Sequence, residues 1–269
     1  MDVMSKIDIL SDEFTLFHAS REGIVGDISL KSKETCDLGK RFYLGFDKQN
    51  LIGRAIGGKN PKMYEIKIDL KSINKDKILF LSGVPLIYCV MAFRLNREYK
   101  EDNNFFKIPY IKNISIFKDL RDYLDTYDVV ICNTIDDYLN EYVKMFARRF
   151  ITEKYLLYLM LNTGIDYQFV VMNQDTCNKL QIVNEEDISM DVIEDYKVKS
   201  VNKKIKMREF AARNKAEFEY LFNGKKINGI LKDINKLTID SMINKIKKNS
   251  HSYEMALLEQ SIGVFIFLV

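Results

Sequence analysis

Tryptophan is absent from the 269-residue chain, proline occurs three times, and histidine only at His18 and His251. Two histidines leave no basis for a His-rich zinc site. Three prolines and 12 glycines exclude a collagenous or low-complexity chain. A long apolar run is also missing. The most apolar stretch, Ile78 to Phe93, is shorter than the roughly 20 residues of a membrane span and carries Ser82, Gly83 and Pro85, so it reads as strand, turn and helix. The run Ile262 to Val269 is shorter still. At the N-terminus acids stand where a secretory signal needs a basic start and an apolar core. The four cysteines, Cys36, Cys89, Cys132 and Cys177, are scattered without a CxxC pair, which predicts ordinary thiols in a reducing compartment. These absences predict a soluble, cytoplasmic protein with no membrane partner and no metal.

What is present suits a packed globular protein: 47% of residues are hydrophobic, and the length fits one large domain or one with an appendage. The 41 basic and 38 acidic side chains nearly cancel, but unevenly. Residues 1–196 carry 26 basic and 31 acidic groups, residues 197–248 carry 15 and 5, and residues 249–269 carry two acids. An acidic body is followed by a basic extension.

Along the body, short β-type runs alternate with helical ones. Strands are predicted at Phe14 to His18, Gly39 to Gly45, Met63 to Leu70, Ile78 to Leu81, Tyr127 to Cys132, Gln168 to Met172 and Lys179 to Val183. Met63 to Leu70 alternates most cleanly, with Tyr64, Ile66, Ile68 and Leu70 on one face and Glu65, Lys67 and Asp69 on the other. Helices are predicted from Asn50 to Ile56, after Pro85, and from Asp137 to Leu161 with a break near Thr152. The unequal spacing, without a βαβ rhythm, predicts an α+β fold. Beyond a boundary placed near residue 185, Asn184 to Tyr196 reads as linker or helix, and Met207 to Phe222 and Ile234 to Ile246 as helices. The expected organisation is a domain of residues 1–185 and a basic, mainly helical region of residues 186–269.

Three residues stand out for chemistry: His18 at the end of the first strand, Tyr43 within the second, and Gln168 at the start of a late one. Singly, each is ordinary structural material. Their settings add to them. Phe17-His18-Ala19-Ser20 puts a histidine beside a small-residue turn whose backbone can grip a flat amide, and Gly39-Lys-Arg-Phe-Tyr-Leu brings in an aromatic ring able to stack on a planar one.

These segments in order, Phe-His-Ala-Ser, then Asp37-Leu-Gly-Lys-Arg-Phe-Tyr-Leu, Tyr64-Glu-Ile-Lys-Ile-Asp69, Ile78-Leu-Phe-Leu, Tyr127-Asp-Val-Val-Ile with Asp136-Asp137 behind it, and Tyr167-Gln-Phe-Val-Val, resemble the His…Tyr…Glu series of diphtheria-toxin-like and PARP-like ADP-ribosyltransferases. The pattern is nearest to a bacterial, toxin-like branch known as a domain of unknown function, over residues 14 to 183. The resemblance implies a split mixed β-sheet that binds NAD as substrate without a Rossmann glycine fingerprint, and no Gly-x-Gly-x-x-Gly is present. It implies that His18 bonds the nicotinamide ribose, that the backbone at Ala19 and Ser20 holds the carboxamide, and that Phe42-Tyr43 brings Tyr43 against the nicotinamide ring. Fixing the substrate and placing partial negative charge near the ribose is what speeds loss of nicotinamide.

The departures also carry meaning. Gln168 stands where the family's glutamate contacts the ribose; an amide oxygen accepts a hydrogen bond but is no general base, so polymer extension is not expected. Arg41 replaces a glycine and can meet the NAD pyrophosphate or point to solvent. Asp136 and Asp137 either orient an acceptor or serve a helix N-terminus. The expected activity is mono-ADP-ribosylation of a macromolecular acceptor, protein or nucleic acid, by a bacterial toxin or anti-phage effector; toxin-like relatives suggest an antitoxin partner. The alternatives are a binding module that has lost catalysis, with Gln168 as the symptom, and an enzyme that the basic, aromatic-interleaved extension directs to nucleic acid. Docking on the acidic body and binding an acidic partner protein are the other readings of that extension.

Overall fold

The computed structural model describes residues 13–32, 36–101, 115–135, 167–221, 238–248 and 250, with a few more between residues 142 and 159. Asp136 and Asp137 lie outside the described residues. Seven strands form one mixed sheet: β1 (Glu13–Ser20), β2 (Phe42–Gly45), β3 (Lys62–Asp69), β4 (Ile78–Leu81), β5 (Val129–Asn133), β6 (Tyr167–Val171) and β7 (Leu180–Asp187). Their order across the sheet is β4-β5-β6-β2-β1-β3-β7. Only β4 and β5 run parallel; the other described pairings are antiparallel. With helices α1 (Lys48–Ala55), α2 (Gly83–Glu101), α3 (Ser115–Leu124), the turn α4 (Gln174–Cys177) and α5 (Met190–Leu221), this is an α+β architecture, as the sequence predicts.

The sheet is continuous on either side of its middle and almost broken between β1 and β2. On one side β1 pairs with β3 along its whole length, from Glu13↔Asp69 to Ser20↔Lys62. On the other, β2 pairs with β6 from Phe42↔Val171 to Gly45↔Gln168. Between β1 and β2 the register reduces to Phe17↔Gly45. The chain enters β2 through Gly39, whose φ of 77° is open to glycine and whose added Cβ would meet the Phe93 ring at 2.8 Å.

The alternation of β3 appears as foreseen. Tyr64, Ile66 and Ile68 are buried on one face with Leu16, Phe42, Leu44, Phe80, Phe169 and Val171. The opposite face carries the largest cluster, in which Tyr43, Val130, Cys132 and Val170 of the strands meet Leu86 to Ala92 of α2 and Ile116, Leu120 and Leu124 of α3. The described residues between 142 and 159 are helical apart from a bend at Ile151, and Val143, Phe146, Leu156 and Leu159 join that cluster. All four cysteines are free thiols.

The expected boundary near residue 185 falls inside β7, which runs to Asp187. The described residues of the basic region beyond β7 are helical over Met190–Leu221 and 239–248, and they pack on the body. Ile193 of α5 is buried with Ala19, Leu51 and Ala55. An added Cβ on Gly53 of α1 would lie 2.8 Å from the Tyr196 ring. Ala211, Met242 and Ile246 are buried in the main cluster, and the Phe80 amide donates to Ser250 Oγ at 3.2 Å. Apolar side chains spaced through a cationic segment provide the burial that holds it there. Among the described residues no helix is long and apolar enough to cross a membrane.

Candidate functional site

The seam between β1 and β2 is where the candidate residues gather. Side chains at paired positions of neighbouring strands share a face. The row Phe17↔Gly45↔Gln168↔Cys132 therefore puts Gln168, and with it Tyr43, on the face of the main cluster. His18, one residue from Phe17, emerges on the other face, opposite Tyr64, where its ring stacks on Phe42 at 4.5 Å between centroids.

His18 crosses the seam through its ring. Its Nδ1 lies 2.9 Å from the Tyr43 carbonyl. A carbonyl only accepts, so Nδ1 carries the proton. Burial, partly offset by that hydrogen bond and reinforced by the nearby Arg54 charge, pushes the His18 pKa down to about 4. At neutral pH the imidazole is thus uncharged, with a lone pair on Nε2. The side chain supplies an acceptor where the strands part and the backbone ladder does not.

Tyr43 is buried, and its hydroxyl is committed at both ends: it donates to the Gly39 carbonyl at 2.8 Å and accepts from the Leu38 amide at 3.0 Å. Burial, with the neighbouring Cys36 and Asp37, raises its pKa well above the usual phenol value. The hydroxyl anchors the ring to the Asp37-Leu38-Gly39 turn, leaving the ring face as the chemically available part.

Gln168 is 1% exposed on central strand β6. Its amide nitrogen donates to Asp37 Oδ2 at 2.9 Å, and its oxygen accepts from Arg54 Nη2 at 3.3 Å. Asp37 Oδ2 also accepts the Ile135 amide at 3.0 Å. The carboxylate dictates the amide's orientation, turning its nitrogen inward and its oxygen toward Arg54. Burial raises the thiol pKa of Cys132 beside it, so Cys132 stays protonated.

Arg54, from the last turn of α1, is the residue sequence reasoning missed. Its guanidinium bonds Gln168, lies 5.7 Å from the centre of the Tyr43 ring, and is close enough to His18 to disfavour a second positive charge there. A single arginine ending a short amphipathic helix reads from sequence as a cation favoured by the helix dipole; only the fold aims it at β6. Asp37 opens the Asp37-Leu-Gly-Lys-Arg-Phe-Tyr-Leu segment, and its signal in sequence is the acid just before a Leu-Gly turn.

The other candidates take different places. Arg41 does not face the seam: it forms an ion pair with Asp125, and its guanidinium lies 5.8 Å from the centre of the Phe93 ring. Its position one residue before Phe42 sends it toward α2 and α3. Phe42 is a core residue under His18. Ala19 sits in the β1–β3 ladder opposite Met63, and Ser20 Oγ donates to the Gly23 carbonyl at 3.1 Å, closing the turn after β1. Among the described residues no group of three or more His, Cys, Asp or Glu side chains is placed to hold a metal ion. No family model, curated protein or solved structure matches the chain.

Proposed function

We propose that the seam is the NAD site of a mono-ADP-ribosyltransferase that moves ADP-ribose to a macromolecular acceptor. The observation that carries this reading is His18: a neutral imidazole whose Nδ1 is tied to the Tyr43 carbonyl and whose Nε2 therefore accepts. A ribose hydroxyl is the partner such an atom takes. The Tyr43 ring gives the flat surface for nicotinamide. Because His18 and Tyr43 emerge on opposite faces, one ligand reaches both only by entering between the parted strands.

Nicotinamide leaves with the electron pair of the glycosidic bond, the ribose carbon becomes cationic, and an acceptor nucleophile closes on it with loss of its proton. The Gln168 amide oxygen, oriented by Asp37, lends partial negative charge to that centre once it is released from Arg54. It takes no proton, in keeping with single transfer. The test is incubation with NAD labelled in the adenosine half together with a cell lysate, scored for labelled macromolecule and for nicotinamide release. Wild-type protein labels an acceptor; a folded protein that does neither overturns the reading.

The commitment of Gln168 at both ends, to Asp37 and Arg54, favours one other reading, a module that binds NAD without cleaving it. Saturable heat of NAD binding with no nicotinamide released in any lysate identifies that case.

A further inference from the structure

Resting on the NAD reading of the seam, we propose that Arg54 is a binding residue for the diphosphate of the ligand, and that before the ligand arrives its guanidinium rests on Gln168 and the Tyr43 ring. Arg54 is half-buried, and among the described residues no carboxylate forms an ion pair with it. Its one hydrogen bond from the guanidinium goes to a neutral amide oxygen, at the long distance of 3.3 Å. A guanidinium has five donors in a planar fork, so most of this capacity is open to an oxyanion. Asp37, the acid of this cluster, bonds the Gln168 amide nitrogen and the Ile135 amide.

The neighbouring cations contrast with it. Arg41 is spent on Asp125, Lys48 on Glu65 and Glu186, and Lys62 on Glu185. Arg54 is also fixed from its backbone, because Arg21, which follows the His18-Ala19-Ser20 end of β1, donates its Nε to the Arg54 carbonyl at 3.3 Å. The two segments that flank the seam are thereby joined at this residue. A diphosphate is the ligand chemistry that fits: a compact, doubly charged group with several acceptor oxygens for a fork whose present partner is uncharged.

The exchange has a consequence at Tyr43. With Arg54 on the ring, cation and nicotinamide compete for the same π face; with Arg54 on the diphosphate, the ring and the Gln168 oxygen are both released. Ligands lacking the diphosphate then gain nothing from Arg54 and must displace it.

The experiment is calorimetric titration of wild type, Arg54→Gln and Arg54→Lys with inorganic diphosphate, ADP, NAD and nicotinamide riboside, beside a melting curve of each variant. Diphosphate, ADP and NAD are expected to bind Arg54→Gln about tenfold to a hundredfold more weakly than wild type, with Arg54→Lys between them. Nicotinamide riboside is expected to bind Arg54→Gln as well as wild type or better. In parallel, the His18 ring signals in NMR should titrate at higher pH in Arg54→Gln, and in wild type saturated with diphosphate, since either change removes or neutralises the charge that disfavours imidazolium. If Arg54→Gln fails to fold, the Arg54→Lys affinities and the wild-type His18 titration decide.

Equal affinity of all three phosphate ligands for wild type and both variants overturns the assignment of Arg54, and NAD cleavage by those variants at wild-type rate would leave the transferase reading intact. Arg54-dependent binding of diphosphate and ADP without any binding of NAD supports the oxyanion site and overturns the transferase reading. Failure of all four ligands to bind folded wild type overturns both.

Discussion

The two halves of the sheet are built on different terms. The half β4-β5-β6-β2 is enclosed: every residue of β2 and β4 is buried, α2 and α3 cover one face, and residues of the C-terminal helical run reach the β4 edge. The half β1-β3-β7 ends in a strand exposed along all but its first residue, with Ile182 and Val183 facing outward. Its inner strands are packed as well, with Leu16, Tyr64, Ile66 and Ile68 on one face and Ala19 and Met63 on the other, but β7 is held by ladder hydrogen bonds and by surface pairs such as Lys62 with Glu185 and Lys48 with Glu186. One half is packed out to its edge, while the other passes from packing to backbone pairing at β7. Where they meet, neither device is complete, and His18 supplies a side-chain bond in place of a ladder. A junction of that kind leaves polar groups available for a ligand while both flanks stay ordered, which is why the candidate chemistry lies at the seam and not on either half.

The largest effect is expected from breaking the junction. His18→Ala removes the acceptor and the bridge together, and nicotinamide release should fall about 10²- to 10³-fold, while the loss of one hydrogen bond costs about 1 kcal/mol of stability. A urea melt beside the kinetic assay separates the two. If instead the variant unfolds and activity falls only with the folded fraction, His18 is a structural clasp alone. Tyr43→Phe sharpens this: it keeps the ring but orphans the Gly39 carbonyl and the Leu38 amide, so it should lose stability by about 1–3 kcal/mol while the folded fraction retains NAD binding.

Next comes the contrast between the halves themselves. Ile246→Ala, in a helical run that the charge pattern assigns to a separate basic region, deletes a fully buried side chain and should cost about 2–5 kcal/mol. Ile182→Ala on β7, 41% exposed, should stay within about 0.5 kcal/mol. Urea unfolding of both tests the asymmetry. Equal costs would mean that the β7 edge is covered in solution.

How much of this was legible in the sequence follows from the range of the forces involved. The strands were legible because period-two burial is written locally: Ile78–Leu81 matches its predicted span, and β3 and β6 differ from theirs by a residue at their ends. Helix α3 is not among the predicted elements, although Ile116, Phe117, Leu120 and Leu124 carry a helical stripe as local as the strand signals. Helix α5 reads as linker and helix in pieces, because among its described residues only Ile193 and Ala211 are buried while Val198, Val201 and Ile205 are exposed, which blurs any periodicity. His18, Tyr43 and Gln168 could be named from local motifs. Arg54 could not, since its meaning comes from a partner 114 residues away. For Arg41 the sequence leaves two destinations, the pyrophosphate or solvent, and its ion pair with Asp125, 84 residues away, is not legible locally.

The smaller predictions concern protons and edges. Because the His18 pKa is about 4 in the folded protein against 6.5 for a free side chain, the unfolded chain binds the extra proton between those values, and stability must rise with pH there. The contribution is complete above pH 6.5 and lost as pH falls to about 4, amounting to at most about 3 kcal/mol. Urea melts from pH 7.5 to pH 4.5 should show this fall in wild type and a shallower one in His18→Ala. NAD affinity, which needs the neutral ring, should stay flat down to about pH 5. An affinity that climbs as His18 becomes charged would mean that the site uses imidazolium, and the seam would then be reading a negative charge with His18 as well as Arg54.

The least costly break is at the enclosed edge. The Phe80 amide belongs to β4, which is paired with β5 on one side and lies at the end of the sheet on the other, and Ser250 Oγ takes the hydrogen bond that a further strand would have taken. Ser250→Ala leaves this half-buried donor without its acceptor and should cost about 1 kcal/mol, visible as faster amide exchange at Phe80 than at its β4 neighbours. Among the described residues the β7 edge has no corresponding plug to lose. Its charged residues, Glu185, Glu186 and Asp187, keep it from pairing with other strands, and Glu185→Gln, which weakens one surface ion pair, should change stability by less than about 0.5 kcal/mol. If Ser250→Ala leaves Phe80 exchange unchanged, the extension does not close the β4 edge, and the enclosed half would rest on its helices alone.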